Sequence, residues 1–327
     1  MSIGQKARRA SAMLGFLAAF ATWMTPASAQ DFPTRPITVW AAFPPGAAGD
    51  LYLRQLADIV SKQLGQAVVV DNKPGAGGAL AAGTMAGSAK PDGYTLAQAP
   101  LAALRLPLMQ KTTWDPHKDF THIIHLTGYI LCMAVQTESP FKTWADVVAY
   151  AKANPGKLVY GSSGHGGTPH VGTEMIAQHD GIKLTHVPYK GGPDLTAALA
   201  GGHVMIMSGS TQMKAMVDAG KFRVLNVWTA DRVSIWPEVP TLKELGYPFV
   251  FESPYGLVGP KGMDPATVKK LHDAFKIAMD DPASAALLAK FDKVPRYLGS
   301  EDYRRYADEL IKLEREGLAQ VGLLKKD

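Results

Sequence analysis

The chain has 327 residues and a single cysteine, so no intrachain disulfide can brace it and its stability must come from burial. That residue, Cys132, lies in the apolar run "YILCMAV" with no basic neighbour in sequence to activate it, which predicts a buried structural thiol. Long apolar stretches are also missing. The run at residues 12–23 is too short to span a bilayer comfortably, and no later segment approaches the required length. Charge is sparse too, at 19% of residues, and no basic cluster interleaved with aromatics suggests a nucleic-acid surface. No fixed-period repeat or low-complexity tract occurs.

At the N-terminus, Lys6, Arg8 and Arg9 precede the apolar run, and Ala27-Ser28-Ala29 follows it. This is the layout of a secretory signal cleaved before Gln30. Removal of residues 1–29 leaves 298 residues and takes away three of the 34 basic residues but none of the 29 acidic ones, leaving a net charge of +2. A chain of that length suffices for two lobes, each with its own core.

Short β-rich runs alternate with helical ones, a βαβα pattern that points to parallel sheets covered on both faces. Strands are expected at residues 37–42, 67–70, 94–97, 120–126 and 130–135, with helices at 50–64, 76–88 and 101–109. A second series follows: helix 144–153, strand 158–160, a helix from Pro169, strand 184–187, helix 193–200, and strands 204–207 and 224–228. Two more short strands are expected within 249–260, then helices at 265–279 and 301–318. The simplest assembly has two α/β lobes, residues 30–131 with 254–327 and residues 132–253, joined by strands that cross near 129–133 and 251–256.

Three Gly-rich turns lead from strand to helix: "FPPGAAGD" (43–50), "GSSGHGGTPH" (161–170) and "YKGGPDL" (189–195). Thr168 is expected as an N-cap with Pro169 at the first helical position, and Gly192 precedes Pro193 in the same way. Each turn therefore ends at a helix start with unpaired backbone N–H groups, which together with the helix dipole favour an anion. In open α/β folds such turns gather at the carboxyl ends of strands, where ligands bind. Glycine is also common in tight βα turns for purely structural reasons, and any one turn alone would carry little weight.

Catalytic patterns fit poorly. The frame Gly161-x-Ser163-x-His165 lacks the final glycine of a nucleophile elbow, and capping accounts for Ser162, Ser163 and Thr168. No phosphate-loop or dinucleotide spacing is complete. The pairs His170 with Glu174 and His122 with His125 lack a third metal ligand at diagnostic spacing. Asp50, at a helix start, is better suited to bracing its turn than to meeting an anion.

In order, the segments "FPPGAAGD", "VVVDNKPGAGGALAAGTMAGSAKPDGYTL", "WDPHKDF", "YGSSGHGGTPHVGTEM", "VPYKGGPDLTAALAGG" and "RVSIWPEVPTLKELGYP" resemble the Bug family, the TctC-like extracytoplasmic solute receptors of tripartite tricarboxylate transporters. The resemblance runs from about Phe32 to the C-terminal helix. It implies a type II periplasmic binding protein fold, in which two doubly wound lobes close on a small organic carboxylate. It further implies a monomeric periplasmic receptor that delivers its ligand to membrane permease subunits, with no catalysis, cofactor, metal or nucleic-acid partner. Carried over, the ligand-binding positions are Phe43, Pro45, Gly46, Ala47, Ala48 and Asp50; then Ser162, Ser163, Thr168 and His170; then Tyr189, Gly191 and Gly192, the last group reached through water. A serine hydrolase acting on a small carboxylate ester and a periplasmic ligand sensor are the rival readings.

The chain departs from the family pattern in several places. It has Gly46-Ala47 where two glycines are usual, Gly49 where threonine is common, and Met205 where an acidic residue follows "GGxV". "MSGSTQ" replaces a segment that usually contains Asp and Pro. "AQAPLAALRLP" replaces a polar stretch, so Leu101 and its neighbours are expected to make one wall apolar. These departures predict a ligand with one carboxylate at the end lined by the first two turns and an apolar or aromatic body.

Overall fold

In Ile37–Ala41, alternate residues are fully buried and the others half-buried. That period of two makes the segment a strand, β1. The computed structural model describes residues 32–251, 253–291, 293 and 295–325; the expected secretory signal lies outside them. The chain continues through α1 (Ala48–Leu64), β2 (Val68–Asn72), a 3-10 turn (Ala76–Gly78), α2 (Ala79–Ser88), β3 (Thr95–Gln98), α3 (Leu101–Met109) and β4 (Phe120–Gly128). Next come β5 (Leu131–Gln136), α4 (Trp144–Ala153), β6 (Val159–Ser162), α5 (Thr168–Asp180), β7 (Thr185–Pro188), α6 (Gly192–Ala200), β8 (Ile206–Ser210), α7 (Lys214–Asp218) and β9 (Phe222–Val227). The last elements are β10 (Pro254–Pro260), α8 (Pro265–Asp280), α9 (Pro282–Lys290), β11 (Pro295–Leu298) and α10 (Ser300–Gln320). All lie in one compact unit, residues 35–327.

The strands form two sheets, ordered β11-β4-β10-β3-β1-β2 and β7-β6-β8-β5-β9. Neither is purely parallel, which corrects the sequence expectation. β1 runs parallel to β2 and β3, and β6 parallel to β7 and β8, but β10 is antiparallel to β3 and β4, and β5 is antiparallel to β8 and β9. The reason is topological: β4 carries the chain out of the first sheet and β10 brings it back alongside, so these neighbours run in opposite directions. Among the described residues of 249–260 there is one strand, not two, and α7, α9 and β11 had no counterpart in the sequence reading.

The crossing segments are tied together by main-chain bonds, from Tyr129 N–H to Ser253 O at 2.9 Å, Phe251 N–H to Trp228 O at 3.1 Å and Trp228 N–H to Leu131 O at 2.9 Å. Cys132 is fully buried on β5; burial raises its thiol pKa, as expected of a packing residue.

Trp228, fully buried, anchors the second lobe, with its indole N–H donated to Asn226 Oδ1 at 3.0 Å. Helix α5 approaches the indole at Gly172, where a Cβ would lie 2.4 Å from the ring. Replacing a helical glycine by alanine gains about 1 kcal/mol of propensity, while forcing a methyl against a rigid ring costs about 1–3 kcal/mol. The Gly172→Ala variant is therefore expected to be net destabilised, with a lower urea midpoint and an unchanged m-value; a raised midpoint would contradict this packing.

Candidate functional site

Four helices start at one cavity between the sheets. Its wall includes Ala48 and Gly49 of α1, Ala102 of α3, Thr168 and Pro169 of α5, and Gly192 of α6. The residues preceding these helices are Ala47, Pro100, Gly167 and Gly191, and none supplies a side-chain cap. The leading N–H groups of these helices, those of Ala48, Gly49, Ala102, Thr168 and Gly192 among the lining residues, lack intrahelical acceptors and face a guest, whereas Pro169 and Pro193 carry no N–H and Ala103 N–H is bonded to Pro100 O at 2.8 Å. Phe43, Gly77, Tyr129, Leu131, Ser163, Ser210, Gln212 and Ser253 complete the wall. Among the described residues, none that lines the cavity carries a charge. The cavity measures about 50 Å³, counting only space that the centre of a water molecule can occupy.

The lobes meet at close glycine contacts around this cavity. A Cβ on Gly77 would lie 2.6 Å from Gly167 N, and one on Gly191 would lie 2.4 Å from Pro44 Cδ. Arg105 of α3, almost fully buried, pairs with Glu314 of α10 and donates to Gly166 O at 3.1 Å, so the first lobe holds the second turn in place.

Of the expected ligand positions, Phe43, Ala47, Ala48, Ser163, Thr168 and Gly192 line the cavity. The others stand outside its wall. Pro45 and Gly46 are exposed. The buried Asp50 carboxylate braces the first turn: it accepts from Gly46 N–H at 2.9 Å and Asn72 Nδ2 at 2.7 Å, and pairs with Arg54. Ser162 is fully buried against His186 Nε2 at 2.8 Å. Tyr189 packs near Gly161, and Gly191 abuts Pro44. The helix starts are also displaced by one residue: Gly167 and Gly191 are the N-caps, with Thr168 and Gly192 first in their helices. Of Leu101 and its neighbours, expected to make one wall apolar, Pro100 and Ala102 line the cavity and Leu101 itself lies outside it.

His170 lies behind the cavity. Its ring stacks on His186, with centroids 4.1 Å apart, and sits 4.7 Å from the ring of His165. One ring nitrogen of each lies within 4.8 Å of the others. The rings are stacked, however, and His170 Nδ1 accepts the Gly166 N–H at 3.2 Å, so the arrangement reads as a packed support for the turn. Glu174, one turn on, takes the Tyr160 hydroxyl at 2.6 Å. Sequence spacing could not find this group, because His186 arrives on a separate strand. Tyr129 and Ser253, from the crossing segments, and Ser210 and Gln212, from "MSGSTQ", were likewise missed as lining, although both stretches had been singled out.

The model of the tripartite tricarboxylate transporter family receptor matches residues 52–323. The chain belongs to that family. A Cupriavidus necator relative, the UPF0065 protein in the gbd 5' region, is 48% identical over 91% of each chain. The solved structure of periplasmic binding protein BugD is 25% identical, with a TM-score of 0.85 over 90% of this chain and 100% of that one. A Rhodopseudomonas palustris protein with adipate is 28% identical, with a TM-score of 0.83 over 89% of this chain and 99% of the other. The fold of this family member is accordingly the type II periplasmic binding fold expected from the sequence, and the family is one of receptors, not enzymes. The buried Ser162–His186 pair fits that assignment, since it faces no substrate space. Its histidine is also a poor base, pushed down to about 4 by burial and the charge of His165.

Two outcomes are expected. Gly191 has φ of 173°, extended backbone open to any residue, so Gly191→Ala is penalised only where the lobes meet. It should weaken ligand binding and leave the ligand-free melting temperature unchanged; unaltered affinity would contradict contact-limited closure. Secondly, burial and then the charges of His186, His165 and Arg105 push His170 down to about 3. An unfolded histidine takes its proton near pH ~6.5, so between about pH 6.5 and about pH 3 the unfolded state holds more protons and stability is lost as the pH is lowered. Urea midpoints measured across that window should drop less steeply in His170→Gln; equal slopes would contradict the assignment.

Proposed function

We propose that this chain is an exported periplasmic receptor that captures a small organic carboxylate between its lobes and presents it, unchanged, to membrane permease subunits. The observation that carries the reading is the convergence of four uncapped helix starts on a cavity that no charged side chain lines among the described residues. Each helix dipole contributes about 0.3–1 kcal/mol toward an anion at an exposed site and more when partly buried, while main-chain amides supply direct hydrogen bonds that favour a carboxylate. The rest of the wall favours carbon. Phe43, Ala47, Ala48, Pro100, Ala102, Leu131 and Pro169 offer apolar surface, which suits a methylene or aromatic body attached to the acid group. The adipate in the Rhodopseudomonas palustris relative is an acid with such a body. Closure is a hinge motion at the crossing segments, and the ligand is enclosed by the same glycine contacts that join the lobes.

A thermal-shift screen followed by calorimetry tests this, using adipate, malate, citrate and benzoate. A ligand at about 100 times its dissociation constant should stabilise the fold by about 2.7 kcal/mol. Acids with an apolar body are expected to bind best and to be recovered with unaltered mass after long incubation. Binding confined to short polar dicarboxylates would refute the apolar-body assignment, and a product of changed mass would refute capture without conversion.

A further inference from the structure

Tyr129, on the first crossing segment, holds a hydroxyl hydrogen with no acceptor among the described residues. Gln98, at the end of β3, is buried and has its amide oriented by the main chain: Oε1 accepts the Ala42 N–H at 3.1 Å. The NH2 group must then face Tyr129, and Nε2 donates to the phenol oxygen at 2.5 Å. An oxygen that accepts from Gln98 keeps its own hydrogen for a different partner.

The position of that hydroxyl is set by packing. The Tyr129 ring lies edge-on to Phe43 at 5.8 Å and beside Tyr255 at 5.7 Å, with Lys293 Nζ 3.8 Å from its centroid. Its oxygen stands against the start of α1, where a Cβ on Gly49 would lie only 2.6 Å away. The phenol oxygen therefore occupies the space that a side chain at position 49 would fill, beside the first turn of α1. Burial raises the Tyr129 pKa well above its ordinary value, so the group remains a donor at any physiological pH.

We propose that Tyr129 is a direct donor to the bound acid, sharing one carboxylate with the first amides of α1, and that Gln98 is the positioning residue that turns the hydroxyl hydrogen into the cavity. This rests on the reading of the chain as an organic-acid receptor. It adds a specificity determinant from outside the three glycine-rich turns. It also places the acid group against the hinge, because Tyr129 N–H is bonded to Ser253 O on the second crossing segment at 2.9 Å. Gly49 and Tyr129 act as a pair: any side chain at 49 displaces the phenol.

The test is calorimetric titration of the full chain with the tightest-binding acid among adipate, malate, citrate and benzoate. Tyr129→Phe, which removes one oxygen, should weaken binding roughly 10- to 100-fold, the loss expected for a hydrogen bond to a charged acceptor. Gln98→Met should weaken it less, and the double variant should bind no more weakly than Tyr129→Phe alone, since both changes act through one hydrogen. Gly49→Ala should reproduce the loss with the phenol retained, and it carries the test if Tyr129→Phe does not fold. Affinity of Tyr129→Phe within about twofold of wild type would overturn the proposal while leaving the receptor reading intact. Additive losses in the double variant would overturn the role given to Gln98. Failure of every acid to bind the wild type would overturn both readings.

Discussion

Main-chain amides at a helix start need acceptors, and at the four helices that begin at the cavity no side chain provides one. Ala47, Pro100, Gly167 and Gly191 occupy the capping positions around the cavity and offer no oxygen from a side chain. Elsewhere Thr143, Asp264 and Asp281 cap three helices with side chains that accept from the first turn, while the helices that follow Gly78, Met213 and Gly299 also lack a side-chain cap but do not start at the cavity. A buried donor left unsatisfied costs about 1–3 kcal/mol. The cavity therefore concentrates a demand for acceptor oxygens that a carboxylate meets.

The surrounding charges are arranged to leave that demand unmet by the protein itself. Asp50, the acidic group nearest the first helix start, is held by Gly46, Asn72 and Arg54. Arg105 is held by Glu314 and a carbonyl of the second turn. Neither side chain enters the wall, so recognition falls to dipoles and hydrogen-bond donors fixed in direction. A lysine or arginine in the wall would attract any anion; fixed amides select by where the acceptor oxygens lie. Apolar residues fill the space between the donors and favour an acid with a carbon body.

Much of this was legible in the sequence. Glycine and proline punctuation located three of the four helix starts, and hydrophobic periodicity located most strands and helices. The register at two starts was off by one: threonine is intrinsically a better cap than glycine, yet Gly167 takes the cap position and Thr168 opens the helix and lines the cavity, while at the other start Gly191 caps and Gly192 precedes Pro193 inside the helix. The fourth start, after Pro100, was located by the helix expected at 101–109, but with no glycine-rich turn before it nothing marked it as an amide donor of the site. Tyr129, Ser253, Ser210 and Gln212 join the wall only once the crossing strands bring the lobes together. Those crossings also made the sheets mixed, a property of connectivity that the βαβα pattern does not record.

Backbone amide resonances followed by NMR during titration with adipate test the central claim most directly. Hydrogen bonding to a carboxylate should move the amide protons of Ala48, Gly49, Ala102, Thr168 and Gly192 downfield together, at one shared dissociation constant. Saturable binding that leaves these protons unmoved, with shifts clustered at side chains remote from the cavity, would contradict it.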